Sequence, residues 1–282
     1  MKLLSKYLFL FLILYTFSSK AQVNLDSLWS VWNDSTQADT KRLKSIGKIA
    51  WPGYIFTNPD SAFYFAQLRF DLAESKGYHD HMADALNTQG TVLYLKSNYY
   101  EALKYFQHSL NLHSEINNKA GISGACTNIG VIYKLLGDSK KALDYYTKGL
   151  KIQEQLGYAK GIASSYVNIG ILYEDQENYD MALNYFNNGL NKFQEIDDKQ
   201  GLAKSYSNIG GVYSNQKKFE EALEFYQLSL KLDNELNNKN GIANTYINIG
   251  SIYYEQGKHK DALEYYNRSL DITKEMGNKN QV

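Results

Sequence analysis

Four asparagines, Asn128, Asn168, Asn208 and Asn248, stand 40 residues apart, each two residues before a glycine. Asparagine is a mediocre helix former, so its recurrence inside stretches of helical periodicity asks for a chemical reason. A primary amide both donates and accepts hydrogen bonds, and can therefore hold a peptide unit from two sides. The same chemistry can tie neighbouring segments of a scaffold together, because a buried amide is a common hydrogen-bonding bridge. Helical spacing puts Asp84, Lys134, Ser164, Glu174, Asp175, Lys204, Asn244, Tyr254 and Glu255 on the same face. The candidate peptide-binding set is the four asparagines with Lys134, Glu174, Lys204 and Tyr254. Its charge is mixed, whereas a clamp for a terminal carboxylate would need clustered Lys and Arg.

Other reactive residue types form no constellation. His79, His81, His108, His113 and His259 include no pair at the four-residue helical spacing of a zinc site. His79 and His81 flank Asp80 in a turn and read as solvated. Cys126 is the only cysteine, so it has no partner within the chain, and its helical slot is filled by Tyr166 one repeat later, which predicts a buried, inert thiol. Gly121-x-x-Gly124 opens a helix that follows another helix rather than a strand, so it is no phosphate loop. No nucleophile elbow, kinase motif set or paired carboxylates at a defined spacing are present. The expectation is a chain without catalytic residues, metal ligands or cofactor.

The elements that position the asparagines are repeats. The stretch Gly121 to Lys160 recurs with a fixed period, and units begin at Lys41, His81, Gly121, Gly161, Gly201 and Gly241. Self-similarity at this period predicts helical hairpins stacked in series, each burying its apolar face against its neighbours. Glycine inside a helix costs about 1 kcal/mol against alanine, so Gly90, Gly130, Gly170, Gly210 and Gly250 imply a packing constraint. Gly170 and Ala182 are small where two helices approach, and Tyr173 and Phe186 fill the space beside them. Tyr105, Tyr145, Tyr185, Phe225 and Tyr265 share one slot, which reads as packing before base stacking.

Within a unit, Tyr166-x-x-Ile169-Gly170-x-x-Tyr173 followed by Ala182-x-x-x-Phe186 resembles the signature of the tetratricopeptide repeat. Tyr206, Ile209, Gly210, Tyr213, Ala222 and Tyr226 repeat it, as do Tyr246, Ile249, Gly250, Tyr253, Ala262 and Tyr266. Cys126, Ile129, Gly130, Tyr133, Ala142 and Tyr146 match with Cys in the aromatic slot, and Leu86, Gly90, Leu93, Ala102 and Phe106 match more loosely. The usual unit of about 34 residues carries a late proline; here the period is 40 and no proline follows Pro59, as in the longer variant of kinesin light chains, polarity adaptors and many bacterial signalling proteins. The resemblance implies an all-α, right-handed superhelical solenoid of antiparallel helix pairs. It also implies that the first helix of each pair lines a concave surface, where this asparagine slot commonly bonds the backbone of an extended peptide.

The chain's 30 basic and 30 acidic residues balance, which argues against nucleic acid as a partner, since phosphates call for a basic stripe. Met1 to Ala21 has a basic start, an apolar run from Tyr7 to Phe17 and a small-residue cleavage site, the grammar of a signal peptide. Export to the periplasm or cell surface is the expectation. Residues 22–40 read as an N-terminal cap with an apolar stripe of Leu25, Leu28, Trp29 and Trp32, and residues 41–282 as six repeats, the first degenerate. Leu263, Tyr266, Leu270, Ile272 and Met276 have no following helix to cover them, so the last repeat invites self-association or a further domain. The function expected is a protein-interaction scaffold that takes a protein or peptide, without a small-molecule cofactor, in its concave groove. The alternative, from resemblance to exported repeat regions of bacterial signalling proteins, is the sensory front of a cyclase or histidine kinase whose output domain is absent here.

Overall fold

The computed structural model describes residues 24–279; segment 1–21, expected from its sequence to be a signal peptide, lies outside them. The described residues form α1 Leu25–Asn33, α2 Asp39–Lys48 and α3 Pro59–Lys76, then five regular hairpins. These are α4 His79–Leu95 with α5 Tyr99–Glu115, α6 Lys119–Leu135 with α7 Ser139–Leu156, and α8 Ala159–Asp175 with α9 Tyr179–Glu195. The last two are α10 Lys199–Asn215 with α11 Phe219–Glu235, and α12 Lys239–Glu255 with α13 His259–Lys279. Each helix packs on its hairpin partner, the second helix of each hairpin packs on the first helix of the next, and the first helices α4 with α6, α8 with α10 and α10 with α12 also approach one another, more closely than the second helices do. The first helices therefore line the inner side of the stack.

The period is written into the turns. A left-handed residue ends each helix from α4 to α12: Ser97, Gly137, Glu177, Lys217 and Gly257 between partners, Asn117, Gly157, Asp197 and Asn237 between hairpins. The following amide reaches back to close the helix end, as Asn178 N does to Tyr173 O at 2.9 Å and Asn238 N to Asp233 O at 2.8 Å. Asn118, Asp138, Asn178, Asp198 and Asn238 then cap the next helix by accepting from its third backbone N–H. The turns thus hold the repeat length constant, with a side-chain cap at the start of α6, α7, α9, α10 and α12 and none at α4, α5, α8 and α11.

Glycine and aromatic residues fix the distance between hairpin partners. A Cβ added to Gly170 would lie 2.6 Å from Phe186, and one added to Gly130 would lie 2.6 Å from Tyr146. Phe186 and Tyr146 are fully buried against these glycines, as the small-faces-large reading expects. The second aromatic slot stacks instead of inserting. Tyr133–Tyr145, Tyr173–Tyr185, Tyr213–Phe225 and Tyr253–Tyr265 have ring centroids 5.4–5.6 Å apart and nearly parallel planes.

The first repeat departs from two straight helices. After Lys48 the chain makes a wide helical turn over Ile49–Tyr54, inside which Trp51 is extended. Pro52 is the cause: it lacks a backbone N–H, and its ring forces the preceding residue out of helical geometry. Asn58 then caps α3 by accepting from Ser61 N, with Pro59 at the first helical position. Before this repeat, α1 sets Trp29 edge-on to Phe65 and Trp32 beneath the Arg42 guanidinium, covering the first hairpin.

Candidate ligand groove

A groove of about 690 Å³ opens on the inner side, between the N-terminal halves of α4, α6, α8 and α10. Because the repeats are equal in length, positions 40 apart form rows across it, one of which reads Asp84, Gly124, Ser164, Lys204. Its floor is tight. A Cβ added to Gly121 or Gly201 would stand 2.4 or 2.2 Å from the rings of His113 and Phe193. Gln153 and Asp233 occupy the corresponding places under Gly161 and Gly241. All four of these side chains are buried. Asp233 accepts from Asn238 Nδ2 at 2.7 Å, and burial pushes its carboxyl above the usual range.

Charge sits at both ends. At the α4 end Arg69 donates to Asp84 at 2.8 Å and its guanidinium lies 2.7 Å from His81 Nδ1. At the α10 end Lys160 pairs with Asp198 at 2.7 Å. Lys204 is half-buried there, and burial lowers its pKa, with Asp198 and Asp233 opposing that shift.

The structure divides the candidate set. Asn128 and Lys204 line the groove, but Asn128 also donates from Nδ2 to Asn87 Oδ1, tying α6 to α4 at 2.7 Å. Asn168 and Asn208 are 5% and 4% exposed, and among the described residues the Asn208 Nδ2 has no partner. Lys134 and Glu174 belong to a second set of ties nearer the helix C-termini. Lys134 meets Asp175 at 3.4 Å, and Glu174 accepts from Asn215 Nδ2 at 3.0 Å. Burial first, and then the Asp175 charge, raise the Glu174 pKa from 4.5 to about 7, with Lys134 pulling the other way. Asn248 is half-buried on the last hairpin, where Tyr254 is 49% exposed with its ring centroid 5.2 Å from His259.

Sequence reasoning missed Asn87, Lys160 and the His113 slot. Asn87, Thr127, Val167 and Ser207 share one register position, and His113, Gln153, Phe193 and Asp233 another, so comparing repeats hides both. The usable signal was local: Asn87 lies one turn from Asp84 on the same face. Cys126 is buried and burial pushes its thiol up, which makes it a poor nucleophile. Among the described residues no group of three or more His, Cys, Asp or Glu could hold a metal ion, and no helix is long and apolar enough to cross a membrane.

The profile of the tetratricopeptide repeat matches residues 81–155, 161–235 and 201–275, more than half of the chain. The chain belongs to the tetratricopeptide repeat family. No sequence of a curated protein matches it significantly. Among solved structures, the apo form of RapI is 20% identical over 90% of this chain and 93% of its own, with a TM-score of 0.72. A Rap protein complexed with Competence and Sporulation Factor is 16% identical over 90% of this chain and 80% of its own, at 0.68. Aspartyl phosphate phosphatase F from Bacillus subtilis is 13% identical over 84% of this chain and 61% of its own, at 0.68. At these identities the likeness is one of fold. This tetratricopeptide solenoid is thus a repeat scaffold of the kind that presents a surface to proteins or peptides.

Proposed function

We propose that the chain is an interaction scaffold that binds an extended peptide segment of a partner protein in the groove between α4 and α10. The observation that carries this reading is the groove itself, of a size typical of ligand sites and lined along equal-spaced rows by backbone-sized residues interleaved with polar side chains. An extended strand crossing the rows meets an equivalent position at every repeat, which suits the regular main-chain groups of a peptide. The solved complex of a similarly folded Rap protein with Competence and Sporulation Factor supports occupancy of such a scaffold by a separate factor. In this reading Asn87 and Asn128 face the ligand, while Asn168 and Asn208 hold the wall behind it. The test is binding of displayed random octapeptides to the full chain and to a Ser164→Trp variant that obstructs the groove. Enrichment that the variant abolishes is expected; enrichment that it leaves intact would overturn the assignment.

A second reading rests on the last hairpin, where Leu263 and Leu270 are 60% and 48% exposed, although their counterparts Leu223 and Leu230 are half-buried by the next repeat. That face suits a further element of a larger signalling assembly, and sedimentation of the full chain against a Leu263→Lys, Leu270→Lys variant separates self-association from a monomer.

A further inference from the structure

Gly124 has no packing reason to be glycine. It lies inside α6, where glycine costs about 1 kcal/mol against alanine, and a Cβ added there would meet nothing within 4 Å. The other glycines within described helices, apart from Gly277 in the last turn of α13, would put a Cβ against side chain or backbone inside that distance. Gly124 faces the groove, and its counterparts in the same row are Asp84, Ser164, Lys204 and Asn244. The row is therefore deepest at α6, with Ala120 and the half-exposed ring of Tyr158 as apolar walls.

We propose that the notch over Gly124 receives an apolar side chain of an extended peptide that runs across α8 and sets an acidic group against Lys204. This deepens the groove reading and rests on it. Beside the notch, the Asn87–Asn128 bond uses one donor and one acceptor, leaving Asn87 Nδ2 and Asn128 Oδ1 to pair with a peptide unit from both directions. Lys204 is half-buried in the groove wall, so its ammonium is partly stripped of water and gains more from an anionic ligand than an exposed lysine would. From α6 to α10 is at least two helix spacings of about 8–10 Å each, which an extended chain covers in no fewer than roughly five or six residues. The ligand class is a short peptide with an apolar residue followed, about that far along, by Asp, Glu or its own terminal carboxylate.

The test pans displayed random octapeptides on the full chain, then resynthesises the enriched sequences and titrates them calorimetrically. Enriched sequences are expected to share the apolar–acidic spacing. Gly124→Leu is expected to weaken them about tenfold or more, and Lys204→Gln about fivefold. Gly124→Leu should melt no lower than the parent, because leucine is the better helix former; Ser164→Leu, one helix along in the same row, gives an independent check of occlusion. Peptides that bind Gly124→Leu and the parent equally overturn the inference. If those peptides are weakened instead by Tyr254→Ala, a peptide site exists elsewhere on the scaffold, and if no peptide is enriched the groove reading itself fails.

Discussion

Asn128 reaches back 41 positions to Asn87, and its amide closes a 2.7 Å hydrogen bond between two successive inner helices. The same step from Asn208 ends at Val167, which offers no acceptor, and among the described residues the buried Asn208 Nδ2 is left without one. Introducing a hydroxyl into an apolar core usually costs about 1–3 kcal/mol. Val167→Thr should cost less than about 1 kcal/mol here, because the hydroxyl can accept from Asn208. Chemical denaturation of Val167→Thr, Asn208→Ala and the double variant should show a favourable coupling of about 1 kcal/mol. Additive effects would mean that the asparagine row is not an inter-repeat tie at this position.

Gly170 and Phe186 set the hairpin gap. Gly170→Ala improves helix propensity yet forces its Cβ to within 2.6 Å of a fully buried ring. The expected net effect is a loss of about 1–3 kcal/mol, measured as a lower denaturation midpoint with an unchanged slope. Gly124→Ala, which meets nothing, should gain up to about 1 kcal/mol.

Glu177 and Lys217 adopt the left-handed conformation that Gly137 and Gly257 hold at equivalent turns. A Cβ there crowds the backbone, at a cost of about 1–2 kcal/mol. Glu177→Gly should therefore raise stability by about 0.5–1 kcal/mol after the added freedom of the unfolded chain is subtracted. Thermal melting checks this directly.

Glu174 gives the scaffold a pH dependence near neutrality. Its carboxylate sits beside Gly211, where a Cβ would already be 3.4 Å away and the equivalent Ile171 would fill the space. Burial raises its pKa in the folded chain from 4.5 to about 7, so between those values the folded state binds more protons than the unfolded one. Stability contributed by this group therefore falls as pH rises through that window and is level above it. Glu174→Gln should flatten this limb of the stability–pH curve while keeping a hydrogen bond to Asn215. An unchanged limb would assign the dependence to other groups.

The repeat period and the Gly–aromatic packing of Gly130 with Tyr146 and Gly170 with Phe186 were legible because each depends on contacts within one hairpin. The kink after Lys48 was not, although Pro52 was in plain view: the period marks the first unit as degenerate without saying where it departs from the others. The asparagine row was recognised as a feature, but its partner slot holds Asn87, Thr127, Val167 and Ser207 in turn. Whether each amide is bonded, exposed or orphaned depends on that neighbour. Glu174 was placed on the inner face by its spacing; the room for its carboxylate comes from Gly211, one repeat further on. Contacts between repeats decide the site, and the repeat pattern averages them away.

The central claim is that an extended peptide lies across the first helices of the middle repeats. A crystal structure of the full chain with an enriched octapeptide measures this most directly. The account predicts peptide main chain within hydrogen-bonding distance of Asn87 or Asn128, running over Gly124 and Ser164 toward Lys204. A peptide seated on the outer side formed by α7 and α9, or against the exposed leucines of α13, would contradict it.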